Sequence, residues 1–253
     1  MAHEHAHRLI YAADFSFDKA TDLKEAYVQA SRMFGEVIDS LGPLGITIKG
    51  NTLFRFLGYS ALKIAADADL RIFADYKLFD VQSTMKNDFS WLRLVPHLDI
   101  LTIAEDVHRS VFKTAADTLL DTIIAPVNPL TDLSDEDFRY RGETSREYAV
   151  RAFFARVADL PATGVICSPV DLKLAPAGFT ENREIITPAI RPAGAVVPGD
   201  TNAGNALTPR QAILAGATKL VIGSPLRLNN DLRGNALRVL DEIGETVTER
   251  NGG

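Results

Sequence analysis

The chain has 253 residues, 46% hydrophobic and 24% charged, and its 33 acidic side chains outnumber 27 Lys and Arg for a formal charge of −6. That much apolar surface excludes a disordered chain, and an acidic balance without a dense Lys/Arg run argues against a nucleic-acid binder, which needs a basic face for phosphates. No apolar run reaches the roughly 18 residues of a membrane span and no signal pattern opens the chain, so it reads as cytoplasmic, with no membrane partner and a small-molecule ligand. Residues 1–8, with alternating His3, His5 and His7, are expected to fray rather than to bind metal.

From there short β-rich runs alternate with segments of helical period, the pattern of repeated βα units on a parallel sheet. Eight runs are read: Leu9–Asp14, Gly45–Lys49, Leu70–Asp75, Leu98–Ile103, Leu119–Ala125, Gly164–Ser168, Glu184–Pro188 and Lys219–Gly223. A helix is predicted over Thr21–Leu41, where Ala26, Val28, Ala30, Met33, Phe34 and Val37 are read as one apolar stripe. A second is predicted from about Asn51 to Ala66, and Thr208-Pro209 opens another with an N-cap residue and proline at the first helical position. Eight units in this length, with no linker rich in Pro, Gly or Ser, predict a single-domain (β/α)8 barrel over residues 9–248.

In such a barrel the chemistry sits where the strands end, which singles out Asp14, Lys49, Asp75, Glu105, Ser168, Arg191 and Ser224. The least periodic connection, Asn128–Arg141, is the expected loop over the mouth. The densest charge is D-Y-K-L-F-D-V at Asp75–Val81. Continued extension would set Asp75 and Lys77 on one face, with Asp80 three residues on and Lys49 arriving from the neighbouring strand. An arbitrary D-x-K-x-x-D string is most often a solvated ion pair, but behind a buried strand such charges need mutual compensation, which marks a site. His97, His108, Cys167 and Trp91 have no partner motif and are read as structural, Trp91 packing against a strand.

The chain resembles bacterial orotidine 5′-monophosphate decarboxylases. The resemblance rests on I-Y-A-A-D ending at Asp14, I-K-G at Ile48–Gly50, D-Y-K-L-F-D-V-Q-S-T at Asp75–Thr84, V-I-C-S at Val165–Ser168, T-P-A-I-R-P-A-G at Thr187–Gly194 and V-I-G-S-P at Val221–Pro225. It implies a decarboxylase without metal or organic cofactor whose catalytic array is Lys49, Asp75, Lys77 and Asp80. It also implies a homodimer with shared sites, Asp80 and Thr84 reaching into the partner's, and a pyrimidine nucleotide or nucleoside held by Asp14, Thr84, Thr131, Arg191, Gly223 and Ser224. Relatives that work on sugar phosphates through magnesium share D-x-K-x-x-D but carry a carboxylate where this chain has Lys49, because a divalent cation needs oxygen ligands.

The sequence departs from this pattern at the phosphate end. Ser224 stands where the family has arginine, the expected glutamine position falls on Thr201 or Ala203, and Ala189 replaces a glycine. A serine hydroxyl cannot replace a bidentate guanidinium, so three readings are carried forward: orotidine 5′-monophosphate decarboxylase with a compensated grip, through Arg191, Arg227 or the Gly223 and Ser224 amides; the same chemistry on a nonphosphorylated or altered pyrimidine acid; and a ligand-binding barrel without turnover.

Overall fold

A computed structural model describes residues 2–17, 19–127, 135–140, 142, 144–195 and 206–252. Eight strands, β1 (Leu9–Ala12), β2 (Thr47–Gly50), β3 (Ile72–Leu78), β4 (Leu98–Ala104), β5 (Ile123–Val127), β6 (Gly164–Ile166), β7 (Glu184–Thr187) and β8 (Lys219–Ile222), close in chain order into one barrel. β8 pairs in parallel with β1, which completes the ring. Each predicted run overlaps one strand; the fifth begins late, because residues 119–122 form the turn that ends the preceding helix, Leu119 N–H donating to Ala115 O at 2.8 Å.

The helices follow from local signals. α1 (Leu23–Leu41) starts at Asp22, whose carboxylate accepts from Glu25 N–H, and buries Ala26, Ala30, Phe34, Val37 and Leu41 against the barrel. The helix expected over residues 51–66 divides into α2 (Thr52–Leu57) and α3 (Tyr59–Asp67), because Gly58 takes φ 63° and ψ −153°, a conformation that only glycine adopts without strain. Next come α4 (Gln82–Leu92), α5 (Ser110–Thr118), α6 (Asp135–Tyr140) and α7 (Arg146–Ala158). α8 (Pro209–Leu214) has the predicted cap, Thr208 and Gln211 bonding reciprocally, and α9 (Leu232–Gly252) closes the outer layer.

Two apolar layers position the site. Outward strand side chains meet the helices in a large core that includes Leu9, Tyr11, Phe34, Ile48, Phe54 and Phe112. Inside the barrel Ile10, Phe73, Ile100, Ala125, Ile186 and Val221 form a dry floor beneath the C-terminal mouth. Residues 2–8, expected from the sequence to fray, lie across the opposite mouth, with Ala6 buried, His3 N–H bonded to Leu44 O at 3.0 Å and Lys219 Nζ bonded to His7 O at 2.9 Å. Among the described residues no helix is long and apolar enough to cross a membrane.

Candidate active site

β2 carries Lys49 inward at the C-terminal mouth, in register with Ala12 of β1 and Phe73 of β3. The next residue must be glycine, because a Cβ on Gly50 would stand 2.2 Å from the Phe54 ring, where α2 folds back over the strand end. Lys49 Nζ donates to Asp14 Oδ2 at 2.7 Å and to Asp75 Oδ2 at 3.1 Å. Lys77 Nζ reaches the other Asp75 oxygen at 2.7 Å. Three of the four charges expected in the array, Lys49, Asp75 and Lys77, therefore meet in one chain, joined by Asp14.

Asp75 is 7% exposed and accepts two further bonds, from Asn51 Nδ2 at 3.3 Å and Thr102 Oγ1 at 3.0 Å. Burial alone would raise its pKa, but the Lys49 and Lys77 ammoniums outweigh it and hold the carboxyl at about 2. Burial would likewise lower the pKa of Lys49, yet Asp75 and Asp14 carry it above the ordinary lysine value. Both side chains are thus ionised at neutral pH. The ammonium of Lys49 occupies the space between two carboxylates where a divalent cation would need oxygen ligands.

Lys77 does not reach Asp75 by continued extension. Its φ is +48°, and the pairing of β3 with β4 shifts register between Ala74 and Leu78. Asn51 and Thr102 are the site residues that sequence reasoning missed. Asn51 also accepts from Arg55 and sits at the start of α2, where an N-cap asparagine invites no functional reading. Thr102, inside L-T-I-A, reads as ordinary β-rich sequence.

Other predicted residues fall elsewhere. Asp80 and Thr84 are exposed; Asp80 Oδ1 accepts from Val81 N–H at 2.6 Å, and among the described residues Asp80 makes no ion pair within the chain. Gly223 and exposed Ser224 do close β8 at the mouth. Arg191, four residues past the end of β7, donates to its own neighbour Ile190 O at 3.0 Å. Arg227 is turned outward: it donates to Tyr11 Oη at 3.2 Å, lies 4.7 Å over the Phe15 ring and faces Glu36 at 3.8 Å, so in this arrangement it does not serve Ser224. Thr131, Thr201 and Ala203 lie outside the described residues, as does part of the expected Asn128–Arg141 loop, of which α6 is described.

Glu105, although it closes β4, belongs to the outer layer, where Arg156 of α7 grips its carboxylate. Buried Cys167 has its thiol pKa pushed up by burial, which leaves it unreactive. Trp91 packs edge-on against Tyr59 of α3 at 4.4 Å and lies against the outer core beside Tyr76 and Leu78 of β3.

A family model described as "Orotidine 5'-phosphate decarboxylase / HUMPS family" matches residues 7–239. The chain belongs to this family. It is 31% identical over 217 residues to the orotidine 5'-phosphate decarboxylase of Methylobacterium sp. (strain 4-46), covering 83% of this chain and 89% of that one. Its identity to the enzyme of the same name from Jannaschia sp. (strain CCS1) is 35% over 190 residues, 72% of this chain and 80% of that one. The barrel matches the crystal structure of orotidine 5'-phosphate decarboxylase from Lactobacillus acidophilus with a TM-score of 0.74 at 21% identity, covering 94% of this chain and 99% of that one, which supports the fold.

Proposed function

We propose that the chain decarboxylates orotidine 5′-monophosphate to UMP in pyrimidine biosynthesis, as a cytoplasmic enzyme. The reading rests on family membership together with one observation: Asp75 held between Lys49 and Lys77. Loss of CO2 from C6 of the pyrimidine leaves a carbanion with little resonance help. In this reading Lys77 places a fixed ammonium beside that charge and donates its proton to C6, recovering one from solvent. Because the ions are paired before substrate arrives, little reorganisation accompanies the reaction. Asp75 faces the departing carboxylate, and Lys49 keeps Asp75 ionised and in place. The relatives that work on sugar phosphates carry a carboxylate in place of Lys49, so that chemistry is disfavoured here for the reason given above.

The same proposal includes a homodimer in which Asp80 and Thr84 complete the partner's site. It is supported by the exposure of Asp80 between Phe79 and Val81, which are 68% and 65% exposed and form an apolar rim suited to a second copy. Mixing a Lys77→Ala chain with an Asp80→Asn chain is expected to recover a fraction of activity, and folded mixed dimers without recovery would contradict shared sites.

A second reading is favoured by the phosphate end, where Ser224 replaces arginine and Arg227 is engaged on Tyr11 and Phe15. There the substrate is a pyrimidine acid without a phosphate dianion. One assay separates the two: CO2 release and product formation from orotidine and from its 5′-monophosphate. The first reading expects kcat/KM higher for the monophosphate by about 10^3-fold or more, since remote binding energy is used in the transition state. Equal or better turnover of orotidine overturns it in favour of the second. Absence of CO2 release from either points to a binding barrel.

A further inference from the structure

We infer that Thr102 is the positioning residue for Lys77: its hydroxyl pins the backbone bulge that turns the lysine back onto Asp75. The inference deepens the proposed function and rests on its reading of Lys77 as the reacting cation.

The register of β3 against β4 carries the argument. Ala74 is opposite Leu101 and Leu78 is opposite Ile103, so three residues of β3, Asp75, Tyr76 and Lys77, face the single residue Thr102. A bulge of that size removes amides from the ladder, and buried amides need other acceptors. Lys77 N–H finds Thr102 Oγ1 at 2.9 Å. An amide can only donate, so the one hydroxyl hydrogen of Thr102 is left for Asp75 Oδ1, at 3.0 Å. The same Asp75 oxygen accepts Lys77 Nζ at 2.7 Å. Thr102, fully buried, therefore ties the backbone of Lys77 to the carboxylate that its side chain grips.

The conformation held this way is strained. Lys77 has φ +48°, in the left-handed region that non-glycine residues enter at a disadvantage and that persists where the surroundings enforce it. Valine at position 102 would fill the same space and offer neither bond. Lys77 could then relax toward extended backbone, and a displacement of about 1 Å at a reacting group reduces rates about 100-fold.

The test compares Thr102→Val, Thr102→Ser and Lys77→Ala in the full chain. Thr102→Val is expected to lower kcat by about 10- to 100-fold with KM changed by less than about threefold. Its acid limb should move to higher pH, because Asp75, still facing Lys49, Lys77 and Asp14, has lost a donor to its charged form. Thr102→Ser should return kcat to within about threefold of the wild type. A Thr102→Val enzyme with wild-type kcat, or equal losses in the valine and serine chains, overturns the inference. If Thr102→Val does not fold, Thr102→Ala carries the same comparison. An inert Lys77→Ala beside an unimpaired Thr102→Val defeats this inference alone, whereas turnover by Lys77→Ala defeats the reading beneath it.

Discussion

The barrel buries a lysine at each mouth, and the two behave in opposite ways. The side chains of Lys49, at the C-terminal mouth, and Lys219, at the N-terminal mouth, are each 10% exposed. Lys49 has carboxylates at 2.7 and 3.1 Å, and although burial opposes it, Asp75 and Asp14 raise its pKa. Lys219 bonds a backbone carbonyl, His7 O, and its nearest carboxylate oxygen, on Glu184, is 4.0 Å away; burial dominates and lowers its pKa. Beside it Asp99 is occupied by Arg71 at 2.7 Å and Thr47 at 3.0 Å. Equal burial thus yields an over-compensated ion at one mouth and an under-compensated one at the other. Burial alone does not mark the site; the arrangement of opposite charges at bonding distance does.

The largest test of this contrast removes each lysine in turn. Lys49→Met should lower kcat/KM by about 10^2- to 10^3-fold, because it releases Asp75 from one of its two ammoniums. Lys219→Met should leave kcat/KM within about threefold. Comparable losses in both would abolish the distinction.

A smaller effect appears in stability against pH. Asp75 is lowered from 3.8 to about 2 on folding, so it contributes about 2 kcal/mol above the higher value, and this is lost as pH falls toward the lower one. Denaturant titrations should show wild type losing stability relative to Asp75→Asn across that interval. Lys219 acts with the opposite sense. Its folded pKa is lowered, so the buried ammonium penalises the native state at low pH, and the penalty fades as pH rises toward the ordinary value of 10.5. Wild type should accordingly gain on Lys219→Met with rising alkalinity, and a flat difference would contradict the assignment.

The smallest expected effect is at Ala189, which replaces the glycine expected from the resemblance and takes φ +61°. Relief of the left-handed strain should let Ala189→Gly raise stability by about 1 kcal/mol, visible as a higher thermal midpoint.

The fold was legible in the sequence because a parallel barrel writes itself as short β-rich runs separated by helical period, and each run overlaps a strand. Lys49, Asp75 and Lys77 were legible because they close neighbouring runs. What stayed hidden depends on register and on distant partners. Two additional residues in β3 leave no mark on alternation, so neither the left-handed Lys77 nor its anchor Thr102 could be read. Glu105 closes a strand just as Asp75 does, and only its partner Arg156, 51 residues on, assigns it to the outer layer. The N-terminal residues looked frayed because their anchors, Leu44 and Lys219, lie far along the chain.

The central claim, that the paired ammoniums and carboxylate at the C-terminal mouth perform the decarboxylation, is tested most directly by CO2 release from orotidine 5′-monophosphate at saturation, in wild type and in Lys77→Ala chains of unchanged fold. A fall in kcat of about 10^4-fold or more is predicted, since one group both stabilises the carbanion and supplies its proton. A Lys77→Ala enzyme retaining a tenth of the wild-type rate would contradict the account.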